Sequence, residues 1–119
     1  MPEKIKVQKL GKLRIYLKSG ETIKSKGLFR KIFPHTAAGK ILEEARDEGF
    51  LNAHAFHTHS AYRKGDKIHN RMVEGDNSGL TICIELVDEK ERLQQFFLHN
   101  EKLLKNKTVI FKEVEYWNY

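Results

Sequence analysis

An α+β fold follows from the order of periodic segments in this chain of 119 residues. Two stretches repeat apolar residues at the helical interval. Each stands between segments that alternate apolar and polar residues, the period of a half-buried strand. A long polar stretch rich in turn formers separates the two halves.

The first alternating segment is 12–18. Leu13, Ile15 and Leu17 share one face, and Arg14, Tyr16 and Lys18 the other, before Ser19-Gly20 ends the run. Residues 1–11 precede it as a flexible basic N-terminus. Residues 21–35 are irregular and basic, with a short helical turn expected around 28–33 and stopped by Pro34. Thr36 is placed to cap a helix running to Glu48. Its apolar stripe is Ala38, Ile41, Leu42 and Ala45, and Gly49 occupies the position where a left-handed residue closes a helix.

A second strand is expected over 52–59. Residues 60–79 hold Gly65-Asp66, Gly75-Asp76 and Asn77-Ser78-Gly79 and read as a long loop. A loop of that length in so small a domain is usually functional or disordered. The clearest strand is 80–87: Leu80, Ile82, Ile84 and Leu86 face one way, Thr81, Cys83, Glu85 and Val87 the other. Asp88, with Glu91 three residues on, reads as the cap of a second helix over 89–104, whose stripe is Leu93, Phe96, Phe97, Leu103 and Leu104. A last strand covers 108–116. The order β-α-β, loop, β-α-β is that of a ferredoxin-like βαββαβ domain, an antiparallel sheet with two helices on one face. The other face is left bare, which invites association.

Composition narrows the function classes. The net charge is +6, from 22 basic and 16 acidic side chains. The excess is concentrated in residues 1–30, where Glu3 and Glu21 are the only acids, so the chain attracts anions. The basic segments lack interleaved aromatic residues, which makes them a weak nucleic-acid signal. One cysteine, Cys83, excludes an intramolecular disulfide and points to a reducing compartment. Residues 1–10 carry no apolar stretch of signal-peptide length, and the expected location is the cytoplasm.

The pieces resemble a known family. Lys12-Leu-Arg-Ile-Tyr-Leu-Lys-Ser-Gly-Glu21 is similar to its opening strand, and Lys26-Gly-Leu-Phe29 to the start of its first helical region. Gly79-Leu-Thr-Ile-Cys-Ile-Glu-Leu-Val-Asp88 resembles its third strand, and 109–116 its closing strand. The family is that of PII-like proteins, the uncharacterised branch related to PII nitrogen-regulatory signalling proteins, and the likeness covers roughly 12–117. It implies one domain over 1–119 that assembles as a homotrimer with clefts between subunits. It further implies that the clefts bind an adenine nucleotide (ATP, ADP, AMP or a cyclic nucleotide) or another small anionic metabolite. The 60–79 loop would then signal to a partner such as a membrane transporter or an enzyme. The chain departs from the family pattern at 30–39, which looks like an insertion. It also lacks the modified-tyrosine motif of the PII loop, and no phosphate loop precedes the second helix.

Four cations are candidate ligand contacts. Lys18 closes the first strand, Lys26 follows in the basic segment beside Gly27, and Arg63 and Arg71 lie in the long loop, where arginine can fork onto phosphate or carboxylate. Among the six histidines, His57 and His59 share a strand face and suit a divalent metal, with a third donor from His35, His69, Glu85 or another subunit. His54 faces the other way. Glu85, inside a half-buried strand, needs a cation, and Arg14 or Lys18 would serve. No nucleophile elbow, metal-hydrolase motif or carboxylate dyad is present, so the expectation is a non-enzyme. The rival readings are a metal-binding trimer and a small enzyme acting on a phosphorylated substrate, which would need an acid–base pair absent from these motifs.

Overall fold

The central strand of the protein organises everything around it. In the computed structural model, which describes residues 4–18, 36–58, 60–62, 64–65, 67–70 and 80–119, strand β1 runs Lys6–Lys18. It starts six residues earlier than expected. The segment anticipated as a free basic N-terminus pairs with the last strand, Lys6 opposite Asn118 and Leu10 opposite Val114. The expected helical turn at 28–33 lies outside the described residues.

Helix α1 spans Ala37–Glu48 and begins and ends as its sequence dictates. The Thr36 side chain accepts a hydrogen bond from the Gly39 N–H at 3.0 Å, and Gly49 adopts the left-handed conformation (φ 73°) with its N–H bonded back to the last turn. Strand β2 (Asn52–His57) follows. Part of the long loop forms a small antiparallel ladder, β3 (Ser60–Ala61) against β4 (His69–Asn70). Strand β5 is Thr81–Asp88, and the second helical region is two pieces, α2 (Lys90–His99) and α3 (Glu101–Leu104). The interruption is at buried Asn100, whose side-chain N–H donates to the Phe96 carbonyl at 3.0 Å, an asparagine competing with the helix for its own backbone acceptors. Strand β6 (Thr108–Asn118) closes the chain.

The main sheet has the order β2-β5-β1-β6 with every neighbouring pair antiparallel, the predicted ferredoxin-like topology. Odd-numbered residues of β1 and even-numbered residues of β5 point to the helices. Leu13, Ile15 and Leu17 meet Ile82, Ile84 and Leu86 there, under Ile41 and Ala45 of α1 and Leu93 and Phe96 of α2. Each such large side chain contributes roughly 1.5–3 kcal/mol by leaving water. No described helix is long and apolar enough to cross a membrane.

Asp88 departs from its expected role. It is the last residue of β5, and the residue before α2 is Glu89, which makes no side-chain cap. The Asp88 carboxylate is instead a buried junction. One oxygen accepts the Leu51 N–H at 3.0 Å, and the other accepts from Arg92 at 3.0 Å. Arg92 also donates to the Glu48 carbonyl and lies over the Phe50 ring, 5.1 Å from its centre. Groups from both halves of the fold thus converge on the turn between α1 and β2.

Gly11 marks where α2 approaches the sheet closely. A methyl group there would meet the Phe111 ring, with Leu93 Cδ1 at 3.0 Å. Gly11→Ala is therefore expected to destabilise the protein by about 1–3 kcal/mol in urea unfolding, and Phe111→Leu in the same chain should recover part of the loss. An unchanged midpoint for the single variant would show that the ring moves aside without cost.

Candidate functional site

Two regions of the described structure bear on function: the sheet face away from the helices, and the sheet end from which the long connections leave.

The open face can be read row by row from the strand registers. Asn52, Val87, Lys12 and Lys112 form one row across β2, β5, β1 and β6. His54, Glu85, Arg14 and Ile110 form the next, and Phe56, Cys83, Tyr16 and Thr108 the third. The middle row holds the main polar contact of the face. Glu85 takes Arg14 Nε at 3.0 Å on one oxygen and Lys12 Nζ at 3.3 Å on the other. Arg14 is the expected partner. The second cation is Lys12, two residues before Arg14 on β1, and Lys18 instead stands opposite Thr81. Burial opposes the charged form of Glu85, but hydrogen bonds from Arg14 and Lys12 outweigh it, and the carboxyl sits below the usual glutamate range. The hydrogen bond to Glu85 likewise raises the Arg14 guanidinium above its ordinary value.

Cys83 is buried in the third row even though it lies on the uncovered face. Burial pushes its thiol up, against a hydrogen bond from Tyr16 and the charge of Arg14, so it is held as the inert thiol rather than the thiolate. Phe56 and Ile110 remain 47% and 40% exposed on the same face. An uncovered surface with a paired charge at its centre and apolar side chains around it has the make-up of an association surface.

At the sheet end, Lys18 finishes β1 as an exposed side chain opposite Thr81. Thr58 binds the Thr81 carbonyl through its N–H at 2.9 Å and its hydroxyl at 3.1 Å, so the chain leaving β2 is tied beside the start of β5, the register partner of Lys18. Residues 19–35 follow Lys18 in sequence, and 60–79 follow β2. Of the four candidate ligand contacts, Lys18 is thus placed beside the start of β5, while Lys26, Arg63 and Arg71 lie outside the described residues. His57 ends β2 opposite Ile82, on the alternate face from His54, as expected; His59 lies outside the described residues. Among the described residues no group of three His, Cys, Asp or Glu side chains could hold a metal ion.

A further groove of about 540 Å³ lies between the helices, lined by residues that include Glu44, Glu48, Arg92 and His99. None of the candidates from the sequence lines it. Sequence reasoning also does not single out Lys112, because strand alternation gives the face of a residue and not its neighbour on the next strand.

Comparison with known proteins places this geometry. The fold is that of PII-like proteins. A nitrogen regulatory PII-like protein, CPII of Thiomonas intermedia K12, solved with ADP, AMP and bicarbonate, superposes with a TM-score of 0.61 at 15% identity over 93% of this chain and 91% of that one. A putative PII-like signaling protein of Thermus thermophilus superposes at 0.54, with 16% identity over 94% and 91%. The chain itself belongs to the DUF190 family ("Uncharacterized ACR, COG1993"), whose pattern it matches over residues 10–116. A UPF0166 protein of Aquifex aeolicus (strain VF5) is 29% identical over 58 residues, 49% of this chain and 60% of that relative.

The charged row has a titration signature. Glu85 has a lower pKa folded than unfolded, so its stabilising contribution is complete above about pH 4.3, the ordinary glutamate value, and is lost as pH falls through the folded value. The stability gap between wild type and Glu85→Gln, measured by urea unfolding, is expected to narrow below that pH. A gap that stays constant into the acid would show that the pair adds nothing.

Proposed function

We propose that this chain is a regulatory protein of the PII-like type that acts by binding rather than by turnover. In this reading it is a homotrimer whose open sheet faces turn inward. An adenine nucleotide or a related small anion occupies the clefts between subunits, with Lys18, Lys26, Arg63 and Arg71 among its contacts. Occupancy orders the 60–79 loop and changes its affinity for a partner, a membrane transporter or an enzyme.

The observation that carries the proposal is the likeness, over nearly the whole chain, to a PII-like protein solved with ADP, AMP and bicarbonate. Three features support it. The net charge of +6 favours an anionic ligand. The exposed Lys18 stands at the sheet end from which the two long connections depart. The uncovered face carries apolar side chains around a paired charge.

Calorimetric titration of the purified chain with ATP, ADP, AMP and cyclic AMP, each with and without bicarbonate, tests the reading. Saturable binding of at least one nucleotide is expected, and Lys18→Gln combined with Arg63→Gln should weaken it about tenfold or more, the loss of two charge-assisted contacts. Failure of every adenine nucleotide to bind would sink the proposal. Binding that the double variant leaves intact would sink the assignment of these cations.

A further inference from the structure

The open face carries an unbalanced cluster of cations at a fixed place. Lys12 of β1 and Lys112 of β6 are direct register partners on that face. Residues so opposed have Cβ atoms about 5 Å apart, and like charges there destabilise a sheet when nothing lies between them. The neighbouring carboxylate does not relieve them both. Glu85 spends one oxygen on Lys12 and the other on Arg14. Among the described residues Lys112 has no carboxylate within ion-pair distance. Three cations therefore share one acid, and the cluster keeps a local charge of about +2 at neutral pH.

Its surroundings favour a compact anion over water. Val87 lies beside Lys12 in the same row, and Ile110 and Val114 flank Lys112 along β6. Apolar neighbours lower the local dielectric and strengthen the attraction of a multiply charged ion. The helices cover only the opposite face, so the cluster is reachable in a single chain.

We propose that Lys12, Lys112 and Arg14 form a binding site for a small oxyanion of the phosphate class on the open sheet face, separate from the nucleotide contacts assigned above. Lys18 lies six positions beyond Lys12 along the strand, about 20 Å, so one phosphate group cannot bridge the two places. The site does not rest on the nucleotide reading. If the face is turned inward in an assembly, the bound oxyanion neutralises charge that would otherwise be buried without a partner, and it becomes part of the interface.

Equilibrium dialysis of the full chain against radiolabelled inorganic phosphate, at fixed ionic strength and neutral pH, tests the site. Wild type is expected to bind saturably, with Lys112→Gln weakening binding about fivefold and Lys112→Arg retaining it. Glu85→Gln removes the competing carboxylate and is expected to tighten binding, an effect that general salt screening cannot produce. Circular dichroism confirms that each variant is folded. If Glu85→Gln does not fold, the contrast between the glutamine and arginine variants of Lys112 decides alone. Absence of saturable binding overturns the proposal, as does binding that is indifferent to Lys112. Phosphate binding lost with Lys18→Gln and untouched by Lys112→Gln would assign the ion to the nucleotide contacts and likewise overturn it. ADP titration of the same samples reads the nucleotide proposal separately.

Discussion

The pairing of β1 with β5 on one side and β6 on the other is the constraint from which the rest of the structure follows. β1 is a central strand in which every second side chain is committed. Leu13, Ile15 and Leu17 fill the space under the helices, while Lys12, Arg14 and Tyr16 emerge on the other face. A slip of one residue would exchange the two sets, placing the Arg14 guanidinium in the core and Ile15 in water. The hydrophobic cost of that exchange fixes the register, and the register in turn brings Glu85 beside Arg14 and Lys112 opposite Lys12. The arrangement of side chains on the open face is thus a by-product of how the core is packed.

A second set of contacts secures the helix layer to that sheet. Asp88, at the end of β5, holds the backbone of Leu51 and the side chain of Arg92, and Arg92 reaches the end of α1. Phe50 completes the junction, edge-on to Phe96 with ring centres 5.3 Å apart. The α1–β2 turn, where the first half of the fold ends, is therefore held by groups from the second half. These contacts tie the two halves of the fold together at one place.

Most of this architecture is legible in the sequence, and only part of the site. Alternation along β1 and β5 and the stripe of α1 are period signals, and they are strong because one face of each element is buried. Thr36 and Gly49 announce the ends of α1 because cap chemistry is local. Asp88 misleads for the opposite reason: its position suits a cap, and the long-range demand of the Leu51 N–H, joined by Arg92 one turn along, wins. Asn100 gives no warning, since a polar residue within a helical stripe does not reveal that its amide will bind the Phe96 carbonyl. The early start of β1 is hidden because Lys6–Leu10 pair only with β6, at the rim of the sheet, where burial leaves no alternation. Glu85 and Arg14 are legible as partners from their shared face. Lys112 is not, because its neighbour depends on the β1–β6 register.

What the open face meets in solution decides whether this account holds together. The Arg14–Glu85 pair, the buried Cys83 and the exposed Phe56 and Ile110 lie on a surface that the helices leave uncovered. The proposed PII-like assembly covers it with further copies. Sedimentation equilibrium of the full chain across micromolar concentrations tests this most directly. The account predicts a particle of three chains of 13.9 kDa each, and a mass of one chain over the whole range would contradict it.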